Sequence, residues 1–309
     1  MKELPFVPLR GFSSSRVQTI LPQFLPSGKP PPSVKVRVFL EDGDFQDIYI
    51  STPPLWQATD KTVILLHGLA GRYDSPSLVR LSKVLYEAHH RIVRVSMRGA
   101  SSDAKPAKRP YHGGLTGDIL TVLKQLKKKM PFSPLILIGF SMGGNLALKL
   151  LAELGIHSLL DLTIAICPPI DLASASSLIS ERGNRFYNRY YVKELQKQSQ
   201  AWTLGRTFNT IYEYDSIVTA PQWGFRDAED YYRQSSSLPV LSQIRRPCFL
   251  IFSEDDPFID YNLITRASLS PQVEIWLSKK GGHMGFLGWT QDYRSIFWLN
   301  ELLLKWVNL

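Results

Sequence analysis

At 309 residues, 44% of them apolar, the chain suffices for one large domain or two average ones with a sizeable core, which excludes disorder as its main character. Its 36 Lys and Arg against 27 Asp and Glu give a net charge of +9, compatible with nucleic acid, an anionic membrane surface or simply a basic exterior. Two cysteines exclude a disulfide framework; Cys167 and Cys248 sit in apolar runs, which predicts buried thiols in a reducing compartment. Lys2 is followed at once by Glu3, and the apolar stretch at 4–9 is broken by Pro5 and Pro8, unlike a signal peptide. No apolar run approaches the roughly 20 residues of a membrane span. A soluble, cytoplasmic protein is expected. The densest basic clusters are Lys124, Lys127, Lys128 and Lys129, and Lys105, Lys108 and Arg109. Neither is interleaved with aromatics and no nucleic-acid-binding signature accompanies them, so solvated helix faces are expected, with no nucleic acid and at most weak peripheral membrane contact.

In chain order, a short Pro-rich linker at Pro30, Pro31 and Pro32 precedes two extended runs, 34–40 and 47–51, flanking Glu41-Asp42-Gly43-Asp44. The Asp-Gly pair predicts a hairpin. From residue 60, short β-rich runs alternate with helical stretches, the pattern of an α/β sheet. Strands are predicted at Thr62–Leu66, 92–97, 135–139, 162–167, Cys248–Ser253 and 273–277, all runs of the kind buried on both faces. Helices are predicted at 77–89, 117–130, 144–154 and 293–307. Between Pro168 and Pro239 the alternation stops, and aromatics including Tyr190, Tyr191, Trp202, Tyr214 and Trp223 recur at helix-like spacing. That stretch predicts a helical cap whose aromatics line the approach to a site on the sheet edge. Arg182, Arg185 and Arg189 within it predict a solvated face, able also to attract an acidic head group.

Gly139-Phe140-Ser141-Met142-Gly143 is a G-x-S-x-G between an apolar strand and a helix, the context of a nucleophile elbow. Chance yields only roughly 0.1 such matches in a chain this long, so strand, turn and helix together make the motif informative. A serine hydroxyl needs a general base, and the base an orienting acid. Two histidines follow Ser141. His157 closes the elbow helix and predicts a surface residue, whereas His283 lies in Gly281-Gly282-His283-Met284-Gly285-Phe286 after the last strand, where catalytic groups gather. The acid is expected after the preceding strand, where Glu254, Asp255 and Asp256 are all present. Composition leaves the choice open; one aspartate should reach His283 and the other cap the following turn. The oxyanion donors are expected at Met142, at the start of the elbow helix, and at Leu69 in His67-Gly68-Leu69-Ala70-Gly71. His67 predicts a loop-structuring residue. His89 and His90 lack partner ligands at useful spacing, so no metal is expected, and no cofactor.

These features resemble the α/β-hydrolase superfamily, and more closely its YheT-like branch, which is similar to eukaryotic α/β-hydrolase-domain lipid esterases. The resemblance spans nearly the whole chain: Phe6-Val7-Pro8, Gly11, Gln18-Thr19, Asp42-Gly43-Asp44-Phe45, the His67 loop with Ser75-Pro76, Arg98-Gly99, Tyr111-His112-Gly113-Gly114, Asp230-Tyr231-Tyr232-Arg233, Asp255-Asp256-Pro257-Phe258 and the His283 loop. Val17 departs from it, standing where the family usually has a histidine or similar residue before Gln-Thr. The resemblance implies an α/β-hydrolase fold, with a mostly parallel central sheet flanked by helices, a core at 1–170 and 239–309, and a helical cap at 171–238. It implies a triad of Ser141, Asp256 and His283; Asp256 is favoured over Asp255 because Ser253 takes the place of the small residue three before the acid in many hydrolases. It implies a serine hydrolase cleaving carboxylic esters through an acyl-enzyme, with small or lipid-like neutral esters as substrate. Acyl transfer or thioester cleavage by the same triad, and a non-catalytic scaffold, are the alternatives.

Overall fold

A nine-stranded sheet grows from the apolar runs. In chain order, its strands are β1 (Lys2–Glu3), β2 (Val34–Phe39), β3 (Phe45–Ser51), β4 (Thr62–Leu66), β5 (Arg91–Ser96), β6 (Leu135–Phe140), β7 (Leu162–Ile166), β8 (Cys248–Ser253) and β9 (Val273–Ser278). This computed structural model describes residues 1–100, 107–203 and 205–309, without the side chains of 200 and 201, so Lys105 lies outside the described residues. The spatial order is β1-β9-β8-β7-β6-β4-β5-β3-β2. All neighbours are parallel except the β2–β3 and β3–β5 pairs. Gly43, at φ +74°, makes the β2–β3 turn, a conformation that Asp-Gly supplies at little cost.

Helices are α1 (Ser15–Phe24), α2 (Pro76–Glu87), α3 (Thr116–Lys129), α4 (Met142–Leu154), α5 (Leu172–Ser180), α6 (Arg185–Gln198), α7 (Ala228–Ser235) and α8 (Trp298–Val307), with shorter turns between. Every residue of β4 and β6 is buried, because side chains alternate between two helical layers. Val63 and Leu65 join Leu81 of α2 and Leu303 of α8 in one core, while Ile64 and Leu66 join Val122 of α3 and Leu148 of α4 in the other. The strongly apolar centre of the sheet thus follows directly from runs with no polar alternation.

Three elements depart from expectation. Neither β1 nor α1 has a sequence signal: β1 is two residues long, and α1 carries Pro22 and buries only Gln18, Thr19 and that proline. Helix α8 starts at Trp298 rather than at 293, because Thr290 and Ser295 close a turn first. The Thr290 hydroxyl donates to Asp292 Oδ1 at 2.7 Å and accepts from the Ser295 N–H at 3.0 Å, the local side-chain bonding that competes with a helix. His157 is exposed, and His90 Nε2 meets Asn308 Oδ1 at 2.7 Å. Both thiols are buried. No helix among the described residues is long and apolar enough to cross a membrane.

Arg98, which follows β5, is 2% exposed and bonds Asp118 through both Nε and Nη2 at 2.7 Å, with Nη1 on Asp42 at 2.7 Å. It locks the hairpin turn to the first turn of α3. Arg98→Met leaves Asp44 and Asp118 buried without their cation, so it should cost about 3–5 kcal/mol in a denaturant titration. A loss within error would show that the cluster is solvated in solution.

Candidate active site

Ser141 sits between β6 and α4 with φ +51° and ψ −121°, a strained conformation for a residue with a side chain. The flanking glycines permit it. A Cβ on Gly139 would lie 2.3 Å from Gly143 O, and one on Gly143 would lie 2.5 Å from His67 O. The α4 ladder begins with the Gly144 and Asn145 N–H groups donating to Ser141 O, so the Met142 N–H precedes it, in the first turn where helix donors lack internal acceptors. The His67 loop presses on the elbow from the β4 side: a Cβ on Gly68 would come within 3.1 Å of Ser141 Cβ. Tyr111 fixes that loop by accepting from the Ala70 N–H at 2.6 Å, while Gln198 of α6 donates to Ala70 O at 3.0 Å. Leu69 and Met142 line one cavity together with Ser141 and His283.

The three candidate triad residues meet although they are far apart in sequence. Ser141 Oγ and His283 Nε2 are 2.9 Å apart, and His283 Nδ1 and Asp256 Oδ2 are 2.8 Å apart. With its ring proton on Nδ1, His283 donates to Asp256 and accepts from the serine hydroxyl, the polarity a general base requires. Asp256 is held by the Phe258 N–H on Oδ1 at 2.8 Å, and Phe258 packs its ring edge-on to His283 at 4.8 Å between centroids.

Asp255 has another task than the turn cap expected of it. Its Oδ1 accepts from Ser253 Oγ at 2.5 Å and from the Gly282 N–H at 2.9 Å, so it anchors the His283 loop. Asp256 itself makes the turn contact, because one carboxylate has oxygens for both partners. Cys167 closes the site from below, its Sγ lying within 4.8 Å of ligand atoms of Asp256 and His283. Burial, reinforced by Asp256, pushes this thiol well above its usual range and keeps it neutral. A neutral thiol and a histidine already spoken for at both nitrogens suit proton relay better than metal ligation.

His67 is wholly buried, its Nε2 accepting from the Met97 N–H at 3.2 Å. Burial lowers its pKa to about 4, which keeps the ring neutral as a strut between β4 and β5. Gln18 and Thr19, which the resemblance includes but to which the sequence attaches no role, form a clamp from α1. Thr19 Oγ1 accepts from the His283 N–H at 2.9 Å and donates to Ser15 O at 2.8 Å. Gln18 donates to Leu287 O at 3.1 Å and accepts from its N–H at 2.7 Å. The available signal was the glycine-rich loop itself: a Cβ on Gly282 or Gly285 would lie 2.6 Å from Ser15 O or 1.8 Å from Gln18 O.

Among the described residues, two cavities reach Ser141 and His283. One, of about 690 Å³ with its open mouth included, is lined by Leu172, Ile179, Leu195 and Ile211 and by Tyr191, Tyr214, Tyr231 and Tyr232. The other, about 1110 Å³ on the same measure, runs between α1, α6 and the His67 loop. Trp223 lines neither; its Nε1 donates to Pro110 O at 2.8 Å, and its ring meets His112 edge-on at 5.0 Å. The sequence pattern marked it as aromatic but could not tell which face of the 171–238 segment would hold it.

Asp215 is the one carboxylate among the residues lining the smaller cavity. Thr219 donates to its Oδ1 at 2.6 Å and Tyr232 to its Oδ2 at 2.8 Å, yet burial raises its pKa to about 6. Because the folded value lies above the unfolded 3.8, the contribution to stability is complete below about pH 3.8 and lost as pH rises through about 6. Asp215→Asn removes that titration. Urea unfolding should show the variant gaining on the wild type by on the order of 3 kcal/mol between about pH 4 and pH 7. Parallel pH profiles would mean that Asp215 is solvated.

The strand order and the elbow define the chain as an α/β-hydrolase, and comparison with known proteins agrees. The profile of the alpha/beta hydrolase fold family matches residues 61–201. The chain is 32% identical to "Putative esterase YheT" of Escherichia coli K12, over 98% of this chain and 93% of that one. It therefore belongs to the α/β-hydrolase superfamily and, within it, to the YheT-like branch. It is also similar to human phospholipase ABHD3, at 26% identity over 88% of this chain and 71% of that one, and to a Saccharomyces cerevisiae monoacylglycerol lipase, at 25% over 80% and 59%. Among solved structures, a Pyrococcus furiosus esterase superposes with a TM-score of 0.60 at 18% identity, covering 90% of this chain and 92% of that one, which speaks for the fold.

Proposed function

We propose that this chain is a serine esterase working through an acyl-enzyme, with Ser141 as nucleophile, His283 as base, Asp256 as orienting acid and the Leu69 and Met142 N–H groups as oxyanion donors. The continuous relay from Ser141 Oγ through His283 to Asp256, at 2.9 and 2.8 Å, carries the reading. Ser141 Oγ attacks the ester carbonyl carbon as its proton passes to His283 Nε2. The oxyanion forms beside Leu69 and Met142, and His283 then protonates the departing alcohol. Water, deprotonated by the same histidine, attacks the acyl-enzyme and releases the acid. The helical segment at 171–238 acts as a cap. Its apolar lining around the smaller cavity favours a lipid-like, uncharged acyl or alcohol group, in keeping with the lipase and phospholipase names of the relatives.

A fluorophosphonate probe tests this directly. It should label wild-type protein stoichiometrically, and Ser141→Ala not at all. Labelling that persists in Ser141→Ala, or a wild type inert to the probe, contradicts the assignment; a labelled enzyme that transfers acyl groups to an added alcohol but not to water shifts the reading to an acyltransferase.

A further inference from the structure

We infer that the mouth of the larger cavity is a docking surface for a lipid bilayer carrying anionic head groups. Phe24, Phe186 and Tyr190 line the cavity that reaches Ser141 and His283, yet they are 75%, 64% and 53% exposed. Three aromatics left open at the rim of one cavity are more than the scattered apolar exposure of an ordinary surface. Helix α6 shows how this arises. Val192 and Leu195 fill its inner face, while Phe186 and Tyr190, four residues apart, share an outer face that the fold does not cover.

Charge selects the occupant. Residues 15–24 and 181–194 hold Arg16, Arg182, Arg185, Arg189 and Lys193 against two acids, Glu181 and Glu194, and Glu194 is already paired with Lys197 at 2.6 Å. Arg16 donates to Gly183 O at 3.4 Å, so the two segments are neighbours. Arg182, Arg185, Arg189 and Lys193 are exposed, and among the described residues none of them has a carboxylate at ion-pair distance. Unpaired cations interleaved with exposed rings match a negatively charged interface, where basic groups meet phosphate and tyrosine and phenylalanine enter the head-group layer. The lysines closing α3 do not share this geometry: Lys127 donates to Ser133 O beside the start of β6, at the sheet edge opposite Ser141. Docked by the α1–α6 rim, the cavity would open onto the head-group layer, and a lipid ester would reach Ser141 without crossing bulk water. The inference rests on the esterase reading only for the use of the surface, not for its existence.

The test is sedimentation of the full chain with vesicles of phosphatidylcholine alone or mixed with phosphatidylglycerol, at low and high salt. The wild type should bind the mixed vesicles at low salt and be released by high salt. Arg185→Glu with Arg189→Glu should lower partitioning on the order of 30-fold or more, leaving hydrolysis of a short water-soluble ester unchanged. Phe24→Ser with Phe186→Ser should lower it on the order of tenfold, with circular dichroism confirming the fold. Lys128→Glu with Lys129→Glu should leave it unchanged. Absence of wild-type binding to the mixed vesicles at low salt overturns the inference, as does binding that only the lysine pair abolishes. Self-association that the phenylalanine pair abolishes, with vesicles left unbound, overturns it in favour of a second copy of the chain. Vesicle binding by a protein inert toward esters supports the surface and overturns the esterase reading alone.

Discussion

Ser141→Ala should lower turnover of a carboxylic ester on the order of 10⁴- to 10⁶-fold while leaving the melting temperature within a few degrees of the wild type. The hydroxyl is the only group lost, and its one side-chain partner given by the structure is His283 Nε2. The members of such a relay act as a unit, so His283→Ala should cause a similar fall and the double variant little more. Stopped assays at high enzyme concentration, with both variants purified apart from any wild-type protein, measure the effect. A loss below about tenfold would mean that another residue attacks the substrate.

Asp256→Asn should cost about 10³- to 10⁴-fold in kcat, because an amide in place of the carboxylate neither fixes the Nδ1 proton nor stabilises the imidazolium. Asp255→Asn should cost at most about tenfold. Its oxygen can still accept from the Gly282 N–H, and the carboxylate does not touch the imidazole. Steady-state kinetics of the two variants side by side decide the matter, and the reverse ranking would move the orienting role to Asp255.

This pair of aspartates marks where the sequence became illegible. The central strands and the elbow were legible because burial on both faces leaves uninterrupted apolar runs, and because only glycine fits two residues either side of a serine held at φ +51°. His283 was legible because few histidines follow Ser141 and glycines flank it. Adjacent carboxylates give no such signal. Their assignment depends on what each carboxylate meets in the His283 loop, the imidazole for Asp256 and the Gly282 N–H for Asp255, both 27 residues downstream in the chain. The clamp from Gln18 and Thr19 was hidden for a related reason: α1 carries a proline and buries polar side chains, so its role comes from tertiary contact rather than periodicity. The early helix expected from 293 failed where Thr290 and Ser295 bonded locally instead.

The most direct test of the catalytic reading is the mass of the enzyme during turnover. Rapid acid quenching of wild type mixed with an excess of an activated p-nitrophenyl ester, followed by intact-mass and peptide mass spectrometry, should show one acyl group per chain on the peptide containing Ser141, formed in step with a burst of p-nitrophenol. Steady hydrolysis with no acyl adduct, or an adduct carried by a different residue, would contradict it.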